Sequence, residues 1–131
     1  MDKTTQEFIR GYLTKADEKL GVAQRLLAQA DFEDSISRSY YAAFYAAQAL
    51  LLSEGLTSKT HSGMISIFGL HFVKTGKVDK KFGRFLSNLL EDRQQSDYNL
   101  FSGLDKLDAD NAHSEATLFI QEIRRLLQSF I

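Results

Sequence analysis

Apolar residues recur at alternating intervals of four and three positions along most of the chain. The first such stripe falls within residues 5–30 and contains Ile9, Leu13, Ala16, Leu20, Ala23, Leu27 and Ala30. Because an α-helix turns once roughly every 3.6 residues, this spacing places all of these side chains on one face. The pattern predicts an amphipathic helix about 40 Å long, with Asp31 as the break that follows it.

The second segment, residues 32–54, is apolar on nearly every side from Tyr40 onward. A helix of this kind has to be covered on several sides. Alanines at positions 42, 43, 46 and 47 allow neighbouring helices to approach closely, and Gly55 follows as a helix stop. The pattern predicts either the central helix of a bundle or a helix shared with a second subunit.

Three further helices are predicted in the second half of the chain. The third starts near Thr60 or His61 and ends by Gly76. The fourth has Asp79 as N-cap and ends near Asp97, and the fifth has Asp108 or Asp110 as N-cap. Residues 99–107 are predicted to form a loop, and the last stripe runs to Phe130. Because short links favour antiparallel neighbours, the sequence predicts an all-α, antiparallel up-down bundle of four to five helices.

Length and composition fit a single helical domain over residues 1–131. The chain has no proline, which suits long uninterrupted helices, and no segment reads as a linker. It has no cysteine, which excludes disulfides and thiolate metal sites. Histidines at positions 61, 71 and 113 are not at mutual ligand spacing, and no glycine-rich phosphate loop is present. We therefore expect neither a metal nor a cofactor.

The charge balance excludes a strongly basic coat, since 16 basic and 17 acidic residues give a formal charge of −1. Binding of RNA would need a local patch. The longest apolar run, residues 40–52, is interrupted by Gln48 and is too short to cross a bilayer. Residues 1–6 are polar and do not resemble a signal peptide. We expect a cytoplasmic protein without a membrane segment.

Arg93 continues the apolar stripe of the fourth helix, formed by Phe82, Leu86 and Leu89. A guanidinium on an apolar face is always charged and needs partners. Asp97 lies one turn later and is placed to be one of them. The alternative is an arginine at a helix end that reaches solvent or makes only a local ion pair.

Two further positions are candidates for ligand contacts. Arg38 shares a helix face with Tyr41 and Tyr45, and arginine beside aromatic rings can hold a phosphate and stack a base. The alternative is a tyrosine-rich core edge. His61 lies at a helix start, where free amides favour an anion but lower the pKa of a histidine. Its alternative role is to cap its helix.

Three motifs together resemble the signature of HEPN-domain proteins. They are Ser37-Arg38-Ser39-Tyr40-Tyr41-Ala42-Ala43-Phe44-Tyr45-Ala46-Ala47, then Thr60-His61, then Arg93-Gln94-Gln95-Ser96-Asp97-Tyr98. Their order and spacing both fit, and the resemblance covers nearly the whole chain. It is closest to the small stand-alone prokaryotic members of that family.

The resemblance implies an antiparallel helical bundle that forms a homodimer with a polar cleft near the dimer axis. Many members pair with a small nucleotidyltransferase in a toxin–antitoxin system. Active members are metal-independent ribonucleases with an arginine, four to six spacer residues and a histidine. In them the arginine stabilises the scissile phosphate and the histidine assists proton transfer from the 2′-hydroxyl.

This chain departs from that motif, because the positions where the histidine would fall hold Tyr98, Asn99 and Leu100. A tyrosine titrates near 10, far from the working pH of a general base. We therefore expect an RNA- or nucleotide-binding protein. Arg93 would contact phosphate, Asp97 would hold Arg93, and Tyr98 would hydrogen-bond or stack, with Arg38, Tyr41 and His61 as further ligand contacts.

Two alternatives stay open at this point. One is a weak metal-independent endoribonuclease, in which His61 would substitute for the missing histidine where the fold brings it near Arg93. The other is a non-catalytic interaction module, in which the cleft serves only to dock a partner protein.

Overall fold

A computed structural model describes residues 2–131. The helices are α1 Lys3–Ala28, α2 Phe32–Ser53, α3 His61–Phe68, α4 Lys80–Tyr98 and α5 Lys106–Leu126. A π-helical turn, Gly69–Val73, follows α3, and a short 3₁₀ turn, Gln128–Phe130, follows α5. Across the described residues there is no β-strand, and no helix is long and apolar enough to cross a membrane.

The four long helices alternate in direction, as predicted. Ser35 Oγ donates to the carbonyl of Ala23 at 2.8 Å, which fixes α1 antiparallel to α2. Contacts from the end of α4 reach the beginning of α2, so these two helices are also antiparallel. Leu104 lies with Phe32 at one end of the bundle, and Phe130 lies with Leu52 at the other. The last helix therefore runs parallel to α2, and the up-down topology is confirmed.

The second helix is the centre of the bundle. It packs against α1, α4 and α5, and eleven of its 22 residues are buried. The buried alanines of α2 let its neighbours approach closely, and each large apolar side chain buried around it contributes about 1.5–3 kcal/mol. Its apolar character is thus explained within one chain, which is the first of the two predicted alternatives.

Several predicted helix limits are confirmed by the caps. Thr60 Oγ1 accepts from the Gly63 amide at 2.9 Å at the start of α3. Asp79 Oδ1 accepts from the Lys81 amide at 2.9 Å at the start of α4. Gly55 follows α2 with a φ of 72°, a conformation that glycine adopts without strain.

One predicted limit was wrong. The last helix begins at Lys106, because Asp105 and Asp108 form a capping box in which each side chain accepts from the other residue's amide. Asp108 is therefore in the first turn, and neither it nor Asp110 is the N-cap. The third helix ends at Phe68 and is followed by the wider π-helical turn to Val73, so the helical segment ends before Gly76, as predicted.

Candidate functional site

Arg93 lies near the end of α4 and points into a group of tyrosines. Its side chain is only 13% exposed. One terminal nitrogen, Nη2, donates to Tyr41 Oη at 2.9 Å. The guanidinium carbon is 5.3, 5.9 and 5.7 Å from the ring centroids of Tyr41, Tyr40 and Tyr98. These distances are within the range of cation–π attraction, so the rings stabilise a charge that has lost most of its water.

Asp97 is the counter-charge of Arg93, as the one-turn spacing predicted. Asp97 Oδ2 lies 2.9 Å from Arg93 Nε. Asp97 Oδ1 accepts from Ser37 Oγ at 2.7 Å, which ties the carboxylate to α2. The Nε–Oδ2 contact is an ion pair without a well-aligned hydrogen bond from Nε. A ligand oxygen could accept a better-aligned hydrogen bond from the same donor.

His61 joins the same group from the beginning of α3. Its Nδ1 lies 2.6 Å from Tyr40 Oη in a hydrogen bond. The imidazole ring centroid is 4.8 Å from that of Phe44 and 6.0 Å from that of Tyr41. The fold therefore brings His61 beside Arg93, although the two residues are far apart in sequence. We call Arg93, Asp97, Tyr40, Tyr41 and His61 the Arg93 cluster.

Burial and charge fix the protonation states within the cluster. Burial lowers the pKa of His61, and the positive charge of Arg93 lowers it further. The imidazole is therefore neutral at neutral pH. Burial raises the pKa of Tyr40, against the opposing influence of Arg93, so its phenol keeps its proton. The cluster offers a permanent cation together with neutral hydrogen-bonding groups, an arrangement suited to an oxyanion.

The other predicted residues lie at or outside the edge of this cluster. Tyr98 flanks the guanidinium but is 75% exposed, so one face of its ring is open to solvent. Arg38 is exposed and makes no hydrogen bond or ion pair with any described residue. It shares the α2 surface with Tyr41, one turn further on, without entering the cluster.

Sequence reasoning missed two members of the site. Tyr40 and Ser37 occur in the HEPN-like motif, but neither is among the residues predicted to contact a ligand. The sequence does contain a feature that points to Tyr40. A tyrosine within an apolar helix has a hydroxyl that needs a polar partner when it is buried. In residues 2–131 no group of three or more histidine, aspartate or glutamate side chains is placed to hold a metal ion.

Comparisons with known proteins agree with these features. A family model described as "HEPN domain" matches residues 9–126. The chain is 31% identical to "Putative toxin MJ0605" of Methanocaldococcus jannaschii over 131 residues, which covers 100% of this chain and 97% of that protein. It is 33% identical to a "UPF0332 protein" of Thermotoga maritima over 123 residues, which covers 94% and 93% of the two chains.

A solved structure has the same fold. The crystal structure of the protein TT1696 from Thermus thermophilus superposes with a TM-score of 0.78, covering 89% of this chain and 96% of that one. Sequence identity is 18%, so this likeness concerns the fold alone.

Proposed function

The chain belongs to the HEPN domain family, and we propose that it binds RNA or a nucleotide at the Arg93 cluster. The observation that carries the proposal is the nearly buried guanidinium, which lies among three tyrosine rings and has one carboxylate partner. An arginine in this state is stabilised when an oxyanion supplies both charge and acceptors. Phosphate fits the fork geometry of its donors.

The surroundings of Arg93 favour a phosphate that carries a base or ribose over inorganic phosphate alone. Tyr98 presents an open ring face beside the guanidinium, and exposed aromatic rings stack on nucleobases. The hydroxyl of Tyr41 and the imidazole of His61 lie close enough to the guanidinium to contact a ribose or a second phosphate oxygen.

We place this binding protein in a toxin–antitoxin pair, as the toxin partner of a small nucleotidyltransferase. Two observations support the role: the resemblance of the motifs to that group, and relatives that carry the name "Putative toxin". The same proposal includes a homodimer. Leu100 and Phe101 are each 86% exposed in the loop directly after α4, and apolar side chains so exposed mark contact surfaces when they are contiguous.

A second candidate function is weak, metal-independent cleavage of RNA. The observation that favours it is the position of His61, which supplies an imidazole to the cluster although no histidine follows Arg93 on α4. Cleavage would leave 2′,3′-cyclic phosphate ends in the presence of a chelator. Loss of that product in His61→Ala, with intact folding, would distinguish this activity from a contaminating nuclease.

Replacement of Arg93 by alanine tests the binding proposal directly. We expect Arg93→Ala to lose adenosine monophosphate and short RNA binding by at least about tenfold, the effect of removing a charge-assisted contact to phosphate. Arg84→Ala is the matched control, because Arg84 is an exposed arginine on the same helix. Equal affinities of the Arg93 variant and the wild type, measured by calorimetry, would exclude the Arg93 cluster as the site.

A further inference from the structure

A second recess lies on the surface between α1 and α2, outside the Arg93 cluster. It has a volume of about 490 Å³ and is lined by Glu7, Phe8, Gly11, Tyr12, Lys15 and Tyr45. We call it the α1–α2 groove. Three of its six lining residues are aromatic, one is acidic and one is basic, and Phe8 is 59% exposed.

Gly11 leaves the helix backbone open within the α1–α2 groove. A Cβ atom built at this position meets no atom within 4 Å. Glycine inside a helix is destabilising by about 0.5–1 kcal/mol relative to alanine, and no contact within the chain requires it here. Close approach of a ligand to the backbone is one of the conditions that glycine satisfies.

The aromatic rings and Lys15 match the chemistry of a nucleotide. Tyr12 and Tyr45 lie with ring centroids 6.3 Å apart and an interplanar angle of 25°. Lys15 Nζ is 5.9 Å from the Tyr45 centroid, so a cation stands beside the stacked rings. Surfaces that bind single-stranded nucleic acid combine aromatic rings, on which bases stack, with nearby cations that attract the phosphates.

The groove is connected to the Arg93 cluster by a continuous row of rings. Tyr45 is 5.4 Å from Phe44, and Phe44 is 6.3 Å from Tyr41, centroid to centroid. Tyr41 in turn accepts the hydrogen bond from Arg93. Along the helix, Tyr41 and Tyr45 are one turn apart, about 6 Å, which is close to the step between adjacent nucleotides in an extended strand.

We propose that the α1–α2 groove is a second nucleotide subsite, which holds the base next to the nucleotide bound at Arg93. This inference rests on the proposed function, and it assigns single-stranded RNA of at least two nucleotides as the ligand. Tyr12 and Tyr45 stack on the base, Lys15 contacts its phosphate, and Glu7 accepts a hydrogen bond from a base amino group or a ribose hydroxyl. Gly11 lets the base reach the helix backbone.

The test compares a labelled single-stranded hexaribonucleotide with adenosine monophosphate as probes. The wild type should bind the hexaribonucleotide more tightly than the mononucleotide. Gly11→Leu fills the groove, and we expect it to weaken hexaribonucleotide binding by about tenfold, the effect of losing one stacked base. Gly21→Leu is the matched control, because Gly21 is on the same helix and outside the groove, and a Cβ atom there meets only the end of the Arg25 side chain within 4 Å. That variant should bind RNA like the wild type.

A second variant keeps the test independent of folding. Lys15 is exposed, so Lys15→Glu leaves the core unchanged and should also weaken hexaribonucleotide binding. The proposal is overturned if both groove variants bind the hexaribonucleotide as tightly as the wild type while Arg93→Ala does not. It is also overturned if Gly11→Leu changes the oligomeric mass in sedimentation, since the groove is then a contact between copies of this chain. Failure of the wild type to bind either probe would instead refute the proposed function itself.

Discussion

Arg93 is a charged residue on the apolar face of α4, and its side chain is nearly buried. The guanidinium keeps its proton at any pH of interest, so the protein has to supply the interactions that water supplied. Three tyrosine rings, one hydroxyl and the Asp97 carboxylate do so from two helices. The contact from Nε to Asp97 is an ion pair without a well-aligned hydrogen bond. A phosphate oxygen could take that donor, and this is the basis on which we propose Arg93 as a binding group.

At the residue scale, His61 is expected to make RNA binding at the Arg93 cluster depend on pH. Its pKa lies below the ordinary value of 6.5 because of burial and Arg93. A bound phosphodiester would favour the imidazolium and raise that pKa, so the complex takes up a proton that the free protein does not hold. Affinity for the hexaribonucleotide should therefore increase by about three- to tenfold as the pH falls from about 7.5 to about 5.5.

The control for this prediction is His61→Asn, which keeps a polar group but does not titrate. Phosphodiesters do not titrate in this range either, so any remaining pH dependence belongs to other groups. A wild type and an asparagine variant with the same pH profile, measured by fluorescence anisotropy, would remove His61 from the site.

Part of the site could be predicted from the sequence alone. Arg93 and Asp97 are one turn apart on one helix, and helix geometry is enough to place them together. The hydrogen bond between Tyr40 and His61 could not be predicted, because it depends on how the link between α2 and α3 returns along the bundle. Arg38 failed to join the cluster for a related reason: sharing a helix face does not fix which neighbour that face meets.

At the scale of the helix, the beginning of α3 positions His61, and a glycine makes this possible. A Cβ at Gly63 would lie 2.6 Å from Thr60 Oγ1 and 2.8 Å from Ser58 Oγ. These are the hydroxyls of the N-cap region. Gly63→Ala should therefore destabilise the fold by about 1–2 kcal/mol, although alanine is the better helix former. Urea denaturation measures the change.

Gly69→Ala is the matched control, because we expect no loss of stability from this substitution. A Cβ at this position meets nothing within 4 Å, and φ and ψ are −61° and −47°. Gly69→Ala should be neutral or stabilising by up to about 1 kcal/mol. If the two alanine variants lost equal stability, the contact at the N-cap of α3 would not be the cause.

The N-cap that the sequence pattern misplaced and the π-helical turn that it did not predict share a physical reason. Asp105, Asp108 and Asp110 are all suitable N-caps, and the choice depends on a reciprocal pair of hydrogen bonds. The π-helical turn at Gly69–Val73 is likewise invisible to a pattern with a period near 3.6 residues. Long stripes predict that a helix exists, whereas its ends depend on local hydrogen bonds.

At the scale of the whole molecule, the sequence predicted the bundle correctly because hydrophobic periodicity determines it. The apolar α2 was also an argument for a dimer, and that argument no longer holds, since its neighbours within the chain cover it. Any dimer contact has to be sought where apolar side chains remain exposed. Leu100 and Phe101 are the most exposed large apolar residues of those described, and they follow the helix that carries Arg93.

The position of these residues leads to a prediction about assembly. In a two-fold symmetric dimer one patch contacts its own copy, so a single charged substitution is introduced twice at the same interface. Phe101→Asp should therefore convert the dimer to a monomer, while the monomer keeps its helical circular dichroism spectrum. Leu118→Asp is the matched control, because Leu118 is an apolar residue of α5 that is 50% exposed. Sedimentation velocity of the wild type, Phe101→Asp and Leu118→Asp measures whether each protein is a monomer or a dimer. A wild type that sediments as a monomer, or a Phe101 variant that remains a dimer, would show that the α4–α5 loop is not the contact surface, and the Arg93 cluster would then act within one chain.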